Sequence, residues 1–170
     1  MFQAIVLAVT AALVGLDQLT KWLTVLYLKE SDPAVVINGI FEFTYLENRG
    51  AAFGMMQGAR WWFVAFTSVV MVGLLRVLLF GRYRRYPLFN VGLVLIIAGG
   101  IGNLIDRIVN GFVVDMIHFH IAAVGFDFPV FNVADCYVVV GSIVTLFFFF
   151  FIYDDKADRK PVEVADDRHA

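Results

Sequence analysis

Cysteine is nearly absent: Cys136 stands alone, which excludes an internal disulfide framework and any cysteine-rich metal centre. Charge is also scarce. Only 16% of the 170 residues are Asp, Glu, Lys or Arg, against roughly 25% in a soluble domain, and 10 of the 28 charged residues lie beyond Tyr153. The remaining body is too poor in charge for a water-soluble globule. An excess of basic residues is missing as well: the formal net charge of -2 provides no general surface for nucleic acid, and no nucleic-acid partner is expected. Long alternating polar and apolar stretches are lacking, which argues against a membrane β-barrel.

What is present is hydrophobic length. A bilayer core about 30 Å thick needs roughly 20 mostly apolar helical residues. Four stretches qualify, predicted as spans at about 2–28, 61–80, 88–107 and 134–153. The expected fold is therefore an all-α integral membrane protein of four transmembrane helices. The first span has the length of a secretory leader, but no basic segment precedes it, so it is read as a true span. Residues 1–153 form the membrane domain and 154–170 a charged tail.

Orientation follows from the excess of Lys and Arg on the cytoplasmic side. Arg82, Arg84 and Arg85 lie between spans two and three, and Lys156, Arg159, Lys160 and Arg168 follow span four. Both termini are thus expected inside. The external segment 29–60 contains Val35-Val36-Ile37-Asn38-Gly39-Ile40-Phe41, where Asn-Gly between β-formers signals a tight hairpin. A small extracytoplasmic β-sheet platform is expected there, with Phe41, Phe43 and Tyr45 on one face.

Once the spans are oriented, the isolated polar residues gather at the outer end. Asp17 and Lys21, four apart on one helix, suggest an internal ion pair. Asn48, Arg49 and Gly50 lie in the first external segment, and Asn103, Asp106 and Arg107 end span three. Asp106 is either a solvated helix end or a buried ion-pair partner, with Arg107 beside it. Asp115 and Asp135 differ from these, having no Lys or Arg within seven positions. Unpaired carboxylates in apolar surroundings have raised pKa values, and two together share a proton. The simpler reading of Asn132 and Asp135 is a cap on span four, and of Asp115 a loop carboxylate.

Several other features have plain structural readings. Gly99, Gly100 and Gly102 allow close helix approach, and Phe147 to Phe151 face lipid or pack near the inner interface. A metal site at His118, His120 and Asp115 is a minor alternative, so no metal ligand is assigned. A transporter path or a non-catalytic scaffold would also use intramembrane charges, but the inner halves of spans three and four carry none.

Four segments together form a recognisable pattern: Asp17-Gln18-Leu19-Thr20-Lys21, Asn48-Arg49-Gly50-Ala51-Ala52-Phe53-Gly54, Gly102-Asn103-Leu104-Ile105-Asp106-Arg107 through Val113-Val114-Asp115, and Phe131-Asn132-Val133-Ala134-Asp135. In this order, across four spans, they resemble bacterial lipoprotein signal peptidase, or signal peptidase II, over about Ala12 to Ser142. The resemblance implies a monomeric, multi-pass aspartic endopeptidase of the bacterial inner membrane, acting near the outer leaflet. Its substrate would be diacylglyceryl-prolipoprotein, cut before the lipidated cysteine, with membrane lipid as the surrounding partner. The implied catalytic pair is Asp115 and Asp135, without metal or organic cofactor. Asp17, Lys21, Asn48, Gly50, Asn103, Arg107 and Asn132 would bind substrate or support the pocket. Cys136 departs from the small hydroxyl residue expected after the aspartate and leaves open a thiol mechanism.

Overall fold

The computed structural model describes residues 1–50 and 60–153. The Ala51–Gly54 part of the second motif and the proposed tail lie outside the described residues. Four helices carry the apolar runs: α1, Phe2–Leu28; α2, Arg60–Phe80; α3, Pro87–Val109; and α4, Val133–Phe147, continued by a π-helical turn, Phe148–Ile152. All four are long and apolar enough to cross a membrane. The spans agree with the predicted ones to within two residues.

The helix α3 is central. Half of its most apolar stretch is buried, against 6% for α2, most of whose side chains are partly or fully exposed. Such outward apolar surface is what a helix facing lipid requires. Small residues let α3 pack tightly: a methyl group on Gly99 would meet the Ala134 carbonyl of α4, and one on Gly102 would meet the Asp17 carboxylate of α1. At the opposite end, Phe89 and Phe148 pack with ring centroids 5.3 Å apart, joined by Tyr83, Tyr86 and Tyr153. The phenylalanine run is divided by this packing: Phe148 is fully buried, whereas Phe150 and Phe151 remain exposed.

The helix end formed by the α3 C-terminus and the α4 N-terminus carries a four-stranded antiparallel sheet, ordered β1 (Ala34–Ile37), β2 (Phe41–Asn48), β3 (Val113–Ile121) and β4 (Phe126–Asp127). The predicted hairpin joins β1 to β2, with Gly39 at φ 72°. Its loop has three residues, Asn38 to Ile40, between the paired Ile37 and Phe41, rather than two; an αL glycine in a three-residue loop is a common alternative. The sheet also extends beyond the expected segment. Half of its strands come from residues between α3 and α4, which the sequence presents as a plain loop.

Phe41 and Phe43 share a face, as expected, with rings 5.0 Å apart, and Phe119 of β3 stacks on Phe41 at 4.5 Å. A bulge between Phe43 and Leu46 then interrupts the alternation before Tyr45. The Tyr45 ring lies 5.8 Å from the Lys29 ammonium, and its hydroxyl donates to Glu47. Continuing past this bulge, β2 ends at Asn48, opposite Val113, and β3 carries Asp115 opposite Leu46.

Candidate active site

The site begins with α1, where the 3.6-residue helical repeat puts Asp17 and Lys21 on one face. Their ion pair is 3.0 Å long, and both side chains are buried. Lys21 also pairs with Asp106 at 3.1 Å and donates to Asn103 Oδ1 at 2.8 Å, so all three ammonium protons are placed. Asp106 is therefore a buried partner of Lys21. It turns from its neighbour Arg107 because adjacent helical residues point about 100° apart. Its other contacts reach Val114 N, which donates to Oδ2, and Gln18 Nε2, which donates to Oδ1. Asp17 receives Ala134 N and Gln18 Nε2 in the same way. The cluster thus satisfies its buried charges with one cation and backbone or amide donors, the condition under which such burial is tolerated.

Lys21 has a second effect through the amide of Asn103. With the ammonium on its oxygen, Asn103 must direct its NH2 elsewhere, and it donates to Asp135 Oδ1 at 2.7 Å. Asn132 is oriented by the same logic. Its oxygen accepts Asp135 N at 3.0 Å, and its NH2 donates to Asp115 Oδ1 at 2.6 Å and to Asn103 Oδ1 at 3.2 Å. Asn48 completes the set: Gly50 N donates to its oxygen at 3.1 Å, while its NH2 donates to Asp115 Oδ2 at 2.9 Å. Three asparagines therefore present NH2 groups to two carboxylates.

The cap expected on α4 is also present. Asn132 and Asp135 form a reciprocal capping box, with Asn132 N donating to Asp135 Oδ2 at 3.1 Å. The cap thus shares the Asp135 carboxylate with the Asp115–Asp135 pair. Among the described residues, neither Asp115 nor Asp135 makes a salt bridge. Burial raises the Asp115 pKa to about 6; Asn48 opposes the shift, the nearby Asp135 adds to it, and Asn132 and Lys21 oppose it.

Arg107 lies within electrostatic reach of both Asp135 and Asp115. Its guanidinium donates to the Gly50 carbonyl at 3.3 Å and covers the Phe63 ring at 5.1 Å. Arg60 anchors the same corner by donating to the Arg107 and Ile108 carbonyls, each at 2.6 Å. All nine residues selected from the sequence are thus gathered at one end of the bundle. Gln18 and Asp106 complete the network; neither is among the selected pocket residues, and of the two sequence readings of Asp106 the buried ion-pair partner is the one found. The Asn103-x-x-Asp106 spacing, which shares a helix face, is the signal available for Asp106.

The alternative of a metal site at Asp115, His118 and His120 loses its geometry. Asp115 lies an odd number of residues from His118 and His120 on a regular strand and therefore faces away from them. Its oxygens are taken by Asn48 and Asn132, so it does not join those imidazoles. Cys136 is half-buried, and the His118 ring contacts Glu42 and Asp127.

Comparison with known proteins gives concordant matches. The family model described as Signal peptidase (SPase) II matches residues 9–151. A lipoprotein signal peptidase of Geobacillus thermodenitrificans is 40% identical over 151 residues, covering 88% of this chain and 92% of that protein. One of Symbiobacterium thermophilum is 43% identical over 138 residues, 81% of this chain and 88% of the relative. A bacterial membrane enzyme solved by the in meso method superposes with a TM-score of 0.77 at 30% identity, covering 95% of this chain and 94% of that one.

Proposed function

The chain belongs to the signal peptidase II family of multi-pass bacterial membrane proteins, and on that premise we propose that it is an aspartic endopeptidase that removes signal peptides from diacylglyceryl-modified prolipoproteins. The observation that carries the aspartic mechanism is the pair Asp115 and Asp135, held by amide donors and, among the described residues, without a directly paired cation. A carboxylate neutralised by Lys or Arg is a poor base, whereas two coupled carboxyl groups that hold one proton provide a base and an acid together.

In the proposed reaction one carboxylate takes a proton from water as the oxygen attacks the scissile carbonyl. The other carboxyl gives its proton to the carbonyl oxygen. Collapse of the tetrahedral intermediate breaks the C–N bond, and the amine leaves with a proton from the dyad. Asn48, Asn103 and Asn132 hold the carboxyl groups in place, and Arg107 and Gly50 bind the substrate backbone beside them. Asp17 and Lys21 support that geometry from behind. No metal or organic cofactor takes part.

The cut lies on the N-terminal side of the lipidated cysteine. The acyl chains remain in the bilayer and the substrate enters laterally as a complex with a single copy of the enzyme. Residues 1–153 form the peptidase domain, both termini and the tail 154–170 face the cytoplasm, and the dyad lies near the outer leaflet of the inner membrane.

Incubation of the purified protein with diacylated and unlipidated prolipoprotein tests this reading. Cleavage of the diacylated form alone, before its modified cysteine, is expected; equal cleavage of both, or of neither, would refute the substrate assignment. Impermeant thiol labelling of single cysteines, in a Cys136→Ser background, tests the orientation. A cysteine at Arg82 that reacts from outside intact cells would reverse it.

A further inference from the structure

On the polar face of the sheet, away from the dyad, Glu42 of β2 pairs in register with His118 of β3, and His120 of β3 pairs with Asp127 of β4. Strand alternation places the four side chains on one face and Phe41, Phe43 and Phe119 on the other. The imidazoles of His118 and His120 lie 4.9 Å apart between ring centroids. Donor atoms of Glu42, His118 and His120 all lie within 4.8 Å of one another. His120 Nδ1 is buried and has no hydrogen-bond partner, an unusual state for a polar atom and one that a ligand would relieve.

From this cluster we propose a divalent transition-metal site, of the zinc type, formed by Glu42, His118 and His120. Two imidazoles and a carboxylate are a ligand set that binds Zn2+ with a fourth position left to water. Tetrahedral Zn2+ with bonds near 2.0 Å places donors about 3.3 Å apart. His118 Nδ1 and Glu42 Oε1 are already 2.9 Å apart, so modest side-chain rotation closes the set. The outer support is also in place. His118 Nε2 lies 2.7 Å from Asp127 Oδ1, and a carboxylate on the second imidazole nitrogen fixes the ring and its tautomer for coordination through the first.

This inference is independent of the peptidase reading, since it uses none of the dyad residues. Its chemical effect is a clip between β2 and β3, the two strands that end in Asn48 and carry Asp115. Coordination uses the unprotonated lone pair of each imidazole and requires no redox partner.

The test is equilibrium dialysis of tag-free, full-length protein in detergent against Zn2+, with unfolding temperature as a second reading. One Zn2+ per chain and a higher unfolding temperature are expected for the parent protein. His118→Ala, His120→Gln and Glu42→Gln should each abolish that stoichiometric site, Asp127→Asn should weaken it about 10- to 100-fold, and His169→Ala should leave it intact. Co2+ should give the visible absorption of a low-symmetry four-coordinate centre. Absence of stoichiometric binding by the folded parent would overturn the site, as would binding unchanged in both folded histidine variants.

Discussion

Two groups of aspartates occupy the same end of the bundle, yet their surroundings differ. Asp17 and Asp106 share the Lys21 ammonium at 3.0 and 3.1 Å, whereas Asp115 and Asp135 receive neutral amide groups and backbone N–H donors. A cation fixes a carboxylate as an anion; an amide fixes its position while leaving the proton free to come and go. Burial alone therefore does not separate the ion-paired aspartates from the pair proposed to be catalytic. The partner does, and Asn103 joins the two groups by accepting from Lys21 and donating to Asp135.

The strongest way to break this contrast is to neutralise the pair proposed to be catalytic. Asp115→Asn and Asp135→Asn are each expected to lower cleavage by up to about 10⁴-fold, because general acid and base catalysis is lost, with the protein still folded in detergent. Turnover assays and near-ultraviolet circular dichroism check both statements. Normal turnover in either variant would put the chemistry elsewhere.

Removing the cation from the structural group acts mainly on stability. Lys21→Met leaves two buried carboxyl groups without their counter-charge and is expected to cost about 3–5 kcal/mol in denaturant unfolding. Activity should fall too, since Asn103 no longer has an ammonium to orient it. A variant as stable as the parent would show that the cluster tolerates the loss of its ion pairs. Gly102→Ala approaches the same group sterically, pressing a methyl onto Asp17, with an expected cost of about 1–3 kcal/mol.

The smallest expected effect sharpens the comparison by titration. The Asn48 hydrogen bond favours the charged form of Asp115, whose pKa stands near 6. Asn48→Ala should therefore move the alkaline limb of kcat/KM to higher pH; a limb moved lower would contradict the assignment. Stability has its own sign. Because the folded pKa of Asp115 exceeds the ordinary value near 3.9, the folded state takes up the proton first. The stabilisation linked to that proton is complete below about 3.9 and declines as pH rises through about 6.

Much of this contrast was legible in the sequence because membrane spans are written in run length. Once α1 to α4 are oriented, Asp17, Lys21, Asn103, Asp115 and Asp135 fall at one end. The pairing was less legible. Asp106 stands next to Arg107 in the chain, yet helical rotation carries it to Lys21, 85 residues earlier. The strand β3 was hidden for a related reason: Val113–Ile121 contains Asp115, His118 and His120, and its partner β2 lies some 70 residues away. The orientation of three asparagine amides depends on donors from other segments, information that no local pattern contains.

The capping box at the start of α4 carries a further consequence for motion. Helix ends are where backbone hydrogen bonds open most readily, at low local free energy. Here the first turn is closed by Asn132, whose NH2 also holds Asp115, and by Asp135 itself. Fraying of that turn therefore also releases one of the contacts that hold Asp115 and Asp135. Amide hydrogen exchange at Asp135 N, which is closed by Asn132 Oδ1, would report how often that cap opens. A single backbone proton thus becomes a clock for opening at this corner, readable without substrate.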